Sequence, residues 1–497
     1  MHGGEEQTFA YGYLAGSSLL SSLAMPNGIV RELSYEQRRD LAVAISCRLG
    51  ETVLVSRSQS YDALGRPTAR TQQRGTEATR TDSFSYNGRN ELTGATLGTA
   101  PYGYSYDNIG NRKTAQEIAE ELTYTANNLN QYTRIEESGE TPFVPTYDAS
   151  GNQTLIKTST GIWTVVYNAA NRAVSFTSRD GNIVVECGYD YQGRRYMKKV
   201  TVNGTVASHE RYLYRGYLQI AALDMLNSKN VHRTLLWDPL EPVATRPLAL
   251  VQENALYCYG MDFNKDVTEV FAGEGAVAAT YDYSPYGTVT GTGNLVQPVQ
   301  WSSEMNDHEL ALVYYNYRYY NPADGRWINR DPIAEEGGWN LYGFVGSNSI
   351  LETDILGTAW SSLQTEAGAA LAARQAAEAA AKAAARAAGT AIAAERSKKN
   401  KRCAELYREK SEAKKEARGS SCKKMIIPEC PTQDECNIFN DRYEKMKRFA
   451  EARKAYDDEC YQGGDAGHQK QREGWFEGAQ NCKSKYDECI TKINQLV

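Results

Sequence analysis

The stretch Tyr147-Asp148-Ala149-Ser150-Gly151-Asn152 decides the fold of most of this 497-residue chain, because it recurs. Upstream copies read Tyr61-Asp62-Ala63-Leu64-Gly65-Arg66, Tyr86-Asn87-Gly88-Arg89-Asn90 and Tyr106-Asp107-Asn108-Ile109-Gly110-Asn111-Arg112, with a looser one at Thr125-Ala126-Asn127-Asn128-Leu129-Asn130. Downstream copies read Tyr167-Asn168-Ala169-Ala170-Asn171-Arg172 and Tyr189-Asp190-Tyr191-Gln192-Gly193-Arg194. With Tyr61, Tyr86, Tyr106, Tyr124, Tyr147, Tyr167 and Tyr189 as markers, the spacing is 25, 20, 18, 23, 20 and 22 residues, which fits one β-hairpin per repeat. The Asp, Asn and Gly positions suit turns that need left-handed backbone, a structural role rather than a catalytic one. Val200-Thr201-Val202, then Asn203-Gly204, then Thr205-Val206 is a two-residue hairpin signal between β-branched residues. A lone hairpin is marginal in water, so neighbours are expected to pair edge to edge into a long, curving sheet.

Composition points the same way. The chain has 34 Tyr and 41 Gly against 10 Phe and 14 Pro, a mixture suited to half-wet strands and tight turns. At 41% hydrophobic and 23% charged it reads as a soluble folded protein, too long for a single core, and a net charge of -6 excludes a generally basic nucleic-acid binder. No run of eighteen apolar residues occurs, and Met1 through Glu6 lacks the basic start of a leader, so neither a membrane span nor a signal peptide is read. Phe9-Ala10-Tyr11-Gly12-Tyr13 already resembles the repeat array. The expectation is therefore a fragment of a longer protein, whose shell does not close by itself.

The average charge conceals a division at Gly357. Residues 1–357 carry 29 Lys+Arg, 40 Asp+Glu and 29 of the Tyr; residues 358–497 carry 26 Lys+Arg, 21 Asp+Glu and seven of the ten Cys. An acidic front of net -11 thus precedes a basic tail of net +5. Between them the Ala-rich run Ala379-Ala380-Ala381-Lys382-Ala383-Ala384-Ala385-Arg386-Ala387-Ala388 favours an exposed helix or spacer. Four segments follow: a β-shell over 1–270, a core segment over 271–357, a spacer over 358–396 and a Cys-rich helical domain over 397–497.

The repeats resemble those of the Rhs/YD-repeat family over about residues 50–357. The most specific likeness is the segment that this family carries as its repeat-associated core, here Glu309-Leu310-Ala311-Leu312-Val313-Tyr314-Tyr315-Asn316-Tyr317-Arg318-Tyr319-Tyr320-Asn321-Pro322-Ala323-Asp324-Gly325-Arg326-Trp327-Ile328-Asn329-Arg330-Asp331-Pro332, followed by Gly337-Gly338-Trp339-Asn340-Leu341-Tyr342-Gly343-Phe344 and Asp354-Ile355-Leu356-Gly357. The resemblance implies a β-strand spiral that encloses a variable C-terminal polypeptide, usually a toxin, and a core that releases it as an aspartyl self-protease. The family's Arg-Asp-Asp set falls on Arg318, Asp331 and Asp354. Two carboxyls held close do not both ionise readily, so one can serve as acid while the other activates water, with the guanidinium orienting them. The family's junction is Asp-Pro-x-Gly-Leu with cleavage directly after it; here Asp354-Ile355-Leu356-Gly357-Thr358 has lost the Pro and the final Leu, and Asn348-Ser349 replaces an Asn-Pro. Self-cleavage is expected at Gly357-Thr358-Ala359, against a plug that has lost the activity.

The tail holds Cys403, Cys422, Cys430, Cys436, Cys460, Cys482 and Cys489 without any C-x-x-C pair, which favours disulfides over zinc and leaves one thiol over. Helices are expected over the charged stretch Glu395 to Arg418, over Asp441 to Asp458 and over Trp475 to Leu496. One stretch, Cys460-Tyr461-Gln462-Gly463-Gly464-Asp465-Ala466-Gly467-His468-Gln469-Lys470-Gln471, has the look of a site. There His468 suits a general acid/base, Asp465 an orienting group or a ligand for a divalent metal, and Lys470 a phosphate contact. The plain alternative is a Gly-rich turn with Asp465 capping a helix from Ala466. No cofactor is otherwise implied. A basic tail favours a nucleic-acid target, hence a nuclease.

Three function classes remain open on sequence. The first is a self-processing toxin, secreted or on the cell surface and delivered into a target cell. It would have a cognate immunity protein and a secretion apparatus or longer N-terminal delivery module as partners. The second is a non-enzymatic surface or adhesion protein with a disulfide-stapled binding module. The third, a membrane-active toxin, is disfavoured by Arg374, Glu378, Lys382 and Arg386, which interrupt the Ala-rich helix every four residues.

Overall fold

A computed structural model describes residues 6–239, 246–358, 360–362, 398–429, 431–461 and 466–496. The chain divides into two compact units, residues 1–388 and 389–497. Most of the Ala-rich spacer, together with Ala359, Cys430 and Asp465, lies outside the described residues.

In the first unit, strands β1 (Ala10–Tyr13) to β12 (Tyr132–Glu137) form one antiparallel sheet in sequence order, and β13 (Thr146–Tyr147) to β26 (Val289–Gly293) form a second of fourteen strands. Each Tyr-Asx pair does two jobs. The Asx oxygen closes its own turn: Asp107 Oδ1 accepts from the N–H groups of Ile109 and Asn111 at 3.0 and 2.8 Å, and Asp190 Oδ1 from those of Gln192 and Arg194 at 2.9 and 3.0 Å. The tyrosine hydroxyl reaches back to the previous hairpin, donating to the carbonyl of Ala42 from Tyr61, of Leu92 from Tyr106 and of Ala173 from Tyr189 at 2.7–2.8 Å. The polar residue after the turn extends to the next one, as Asn111 Nδ2 does to Asn130 Oδ1 at 2.9 Å. A turn such as that at Asp107 is thus bonded to itself, to the turn before and to the turn after.

At the looser copy the turn-forming residue is Asn127, so Ala126 stands where the tyrosine stands elsewhere, and Tyr124 points inward onto Tyr132. A further copy escaped the pattern because Met261 replaces the tyrosine: Asp262 Oδ1 accepts from Asn264 and Asp266 N–H at 2.9 and 3.0 Å. The second sheet accordingly runs past residue 270 to Gly293.

Strand alternation puts Ile156, Trp163, Val165, Phe176 and Val185 on one face of the second sheet, packed against Leu310, Leu312, Tyr314, Tyr319 and Ile328. The latter come from a small sheet of β27 (Met305–Asp307), β28 (Leu312–Tyr315), β29 (Arg318–Asn321) and β30 (Arg326–Trp327), so the core segment fills the inner face of the shell. It is tied to the repeat turns. Arg172 Nη1 donates to the Asn316 carbonyl at 3.1 Å, Arg326 Nη2 to the Asn130 carbonyl at 2.6 Å and Tyr342 Oη to the Gly151 carbonyl at 2.7 Å. Arg195 and Lys198 both pair with buried Asp307 and hold its carboxyl well below its usual pKa, although burial alone would raise it. The two large sheets meet through Leu23, Ile29 and Val55 against Leu248, Cys258 and Phe271, and through ion pairs from Arg57 and Arg74 to buried Glu269 at 2.5 and 2.8 Å.

The second unit is helical: α1 over 398–417, α2 (Gln433–Tyr461) and α3 (Ala466–Leu496). Helices α2 and α3 start about two turns earlier than the sequence reading places them, and the added turns of α2 bring Cys436 and Phe439 into the core. Disulfides Cys403–Cys460, Cys422–Cys482 and Cys436–Cys489 join them around a small core of Phe439, Met446, Ala479 and Trp475. Among the described residues no helix is long and apolar enough to cross a membrane.

Candidate active site

Three segments converge below the core sheet. Arg318 opens β29, Asp331 lies in the loop after β30, and Asp354 ends a short strand, β31 (Glu352–Asp354), which pairs with β32 (Trp360–Ser362). Residues 355–358, which include the Gly357-Thr358 part of the junction, follow β31 directly.

Arg318 is the hub. Its Nη2 lies 2.9 Å from Asp331 Oδ2 and 3.5 Å from Asp354 Oδ2, its Nε donates to the Gly357 carbonyl at 2.6 Å, and its guanidinium stacks 4.1 Å from the Trp327 ring. Asp354 Oδ1 accepts from the backbone N–H of Leu356, Gly357 and Thr358 at 3.0, 2.7 and 3.2 Å, so this carboxylate folds the junction loop around itself. Asp331 Oδ1 accepts only the Ile333 N–H, at 2.9 Å, among the described residues.

Burial sets the electrostatics. It pushes the Asp331 carboxyl up to about 6, against the pull of Arg318 and with help from the Asp354 charge. Asp354 is also raised by burial, but Arg318 and three backbone N–H groups oppose the rise and favour its ionised form. Of the two carboxyls, Asp331 is the one suited to carry a proton near neutrality.

Two glycines make the close approach possible. A Cβ on Gly337 would sit 2.3 Å from Asp331 Oδ2 and 2.7 Å from the Thr358 carbonyl oxygen, so both groups crowd the same bare backbone. Gly357 has φ of 75° and packs on the Tyr315 carbonyl, where a side chain has no room. Neither Gly337 nor Trp327 was singled out from sequence, although both lie inside the core motif. Glu304 has no local sequence signal at all: it is buried, its carboxyl is pushed well above its usual pKa by burial and by Asp354, and its Oε1 has no hydrogen-bond partner among the described residues.

The tail constellation is arranged differently. His468, on the first turn of α3, has its Nδ1 3.1 Å from Oδ1 of Asp457 on α2. Asp457 is buried and also faces Arg472 and Arg453 at 3.5 and 3.7 Å. Lys470 is exposed and, two residues along the helix, does not share the face of His468. Asp465, expected to orient His468 or hold a metal, is outside the described residues, where no cluster of three metal-ligating side chains is otherwise found. Asp457 was missed because the sequence window stopped at Cys460.

Residues 24–350 match the family described as Teneurin YD-shell, and residues 401–485 match the one described as Novel toxin 16. The chain belongs to the teneurin YD-shell family. It is 26% identical over 280 residues to the tRNA3(Ser)-specific nuclease WapA of Bacillus spizizenii, 54% of this chain and 11% of that protein. It is 34% identical over 99 residues to the double-stranded DNA deaminase toxin A of Burkholderia cenocepacia, 19% of this chain and 7% of that one. The chain thus spans about a tenth of the length of these curated relatives. A solved complex, TcdB2–TccC3–TEV, shares the fold at a TM-score of 0.56 and 19% identity, over 69% of this chain and 19% of that one.

Proposed function

We propose that this chain belongs to a self-processing polymorphic toxin, in which the YD shell carries the helical domain and the core segment cuts the connection beside Thr358. The observation that carries the reading is the Arg318 guanidinium, which bridges Asp331 and Asp354 and at the same time binds the Gly357 carbonyl. Two buried carboxyls, both with raised pKa and one of them held by backbone N–H groups that favour its charged form, and a cation on the adjoining carbonyl are the parts that acid–base cleavage of an amide requires. Purified chain should convert from 55.2 kDa to a shell fragment and one of about 140 residues, while Asp331→Asn and Asp354→Asn stay intact. Mass spectrometry after prolonged incubation reads this; an uncut wild-type chain removes the proposal.

The released domain is read as an effector acting on nucleic acid in a competing bacterial cell, with an immunity protein protecting the producer and a longer delivery module exporting it. Its basic charge, the buried Asp457–His468 pair and the Novel toxin 16 match support this. The relatives named above act on different nucleic acids, so the shell does not specify the target. Expression of residues 359–497 in bacteria tests it: growth arrest with degraded RNA or DNA in wild type, abolished in His468→Ala and Asp457→Asn.

A further inference from the structure

Which bond breaks, and what attacks it, can be read from Thr358. Its side chain is fully buried (0% exposed), yet Oγ1 has no hydrogen-bond partner among the described residues. A buried hydroxyl left unpaired costs about 1–3 kcal/mol, which an apolar residue at that position would avoid. The hydroxyl belongs to the residue that follows the Gly357 carbonyl, so attack of Oγ1 on that carbonyl carbon would close a five-membered ring. Arg318 Nε already donates to the Gly357 oxygen at 2.6 Å, where charge would develop on attack, and Asp354 Oδ1 lies 3.2 Å from the Thr358 nitrogen that would leave. Gly357, with φ of 75° and no Cβ, lets the junction backbone lie against Tyr315 and Arg318, beside the guanidinium.

We propose that Thr358 is the nucleophile of self-cleavage and that the Gly357–Thr358 bond is the one broken, not Thr358–Ala359. This rests on the cleavage reading above. Oγ1 bonds to the Gly357 carbonyl carbon while its proton passes to the carboxylate pair. The C–N bond then breaks as the carboxyl pair returns that proton to the Thr358 nitrogen, leaving an ester between Gly357 and the Thr358 side chain. Water adds to that ester carbon, Oγ1 departs with a proton, and the products are a Gly357 carboxyl and a fragment that begins with free Thr358. No group outside the chain and water is consumed.

The full chain tests this directly. The released fragment should begin Thr358-Ala359-Trp360 by N-terminal sequencing. Thr358→Ser should still cut, Thr358→Val, which matches the buried shape without the hydroxyl, should cut at least ~100-fold more slowly, and hydroxylamine should trap the shell fragment as a Gly357 hydroxamate. A fragment beginning at Ala359, or a folded Thr358→Val chain that cuts at the wild-type rate, overturns Thr358 as nucleophile and leaves the aspartyl reading standing. If wild type and Thr358→Ser both remain whole, the two readings fall together.

Discussion

The two units solve the same problem of stability with opposite means. The shell holds three cysteines, Cys47, Cys187 and Cys258, all buried and all free, and is held by repeated turns, a continuous core and buried ion pairs. The tail, with its small core and long charged helices, is joined by three disulfides. A few hundred residues bury enough apolar area to stand without cross-links, whereas about a hundred with few core residues do not. The contrast fits a domain that must persist after leaving its carrier.

The sharpest way to break this contrast is reduction. The disulfides span sequence separations of 57, 60 and 53 residues, and closing a loop of that size stabilises by about 4 kcal/mol on the chain-entropy account. Removing three should unfold the tail outright. Far-UV circular dichroism with and without a phosphine reductant should lose most helical signal, while the β signal keeps its melting temperature. Helix that survives reduction would show that the small core suffices.

The reciprocal test strikes the shell alone. Glu269 is fully buried between Arg57 and Arg74; burial acts to raise its pKa, but the two arginines outweigh it and hold the carboxyl below its usual value. Glu269→Gln leaves both guanidinium groups without their central charge and should cost the shell about 3 kcal/mol. Calorimetry should show the β transition shifted down and the tail transition unmoved. Because the folded pKa is depressed, this contribution is present at neutral pH and is lost as pH falls through the folded value.

How much of this could be read in advance differs between the units for the same reason. In the shell, most turns repeat one local rule, so Tyr-Asp-x-x-Gly announced both the hairpins and their turn geometry, and the rule failed where another residue stands in for the tyrosine, as Ala126, Met261 and Trp237 do, or for the Asx, as Ser284 does. The Arg318, Asp331 and Asp354 positions were legible through a motif, but their meeting point was not, since it depends on a fold that joins residues far apart in sequence. Gly337 has no side chain and Glu304 lies in no motif, so both become visible only through what they touch. In the tail nothing repeats, so disulfide pairing and the partnership of Asp457 with His468 followed from helix packing alone.

A third prediction sharpens the site without disturbing either unit. Gly337→Ala places a methyl against Asp331 Oδ2 and the Thr358 carbonyl, and should slow self-cleavage ~100-fold or more with the shell still folded. In wild type, Asp331 has its pKa raised to about 6, so its protonated fraction falls as pH rises. If a protonated Asp331 is the acid, cleavage measured by gel densitometry should drop about tenfold per pH unit above 6. A flat profile from pH 5 to 8 would assign the acid to another group.

The smallest expected effect tests the repeat itself. Tyr189→Phe removes only the hydroxyl that reaches the Ala173 carbonyl at 2.7 Å, whereas Asp190→Ala removes both Oδ1, which accepts two backbone N–H groups within its own turn, and Oδ2, which pairs with Arg194. The first should cost about 1 kcal/mol, the usual net worth of one neutral hydrogen bond, and the second about 1–2 kcal/mol, as at other caps. Both changes should appear in the shell's denaturation midpoint and neither in the tail's. Because each repeat contacts only its neighbours and the core beneath, the same pair of changes at Tyr106 and Asp107 should cost a similar amount. A much larger loss at one site than the other would mean that the core segment, which touches Asn111 through Asn340, rather than the repeat rule, governs stability there.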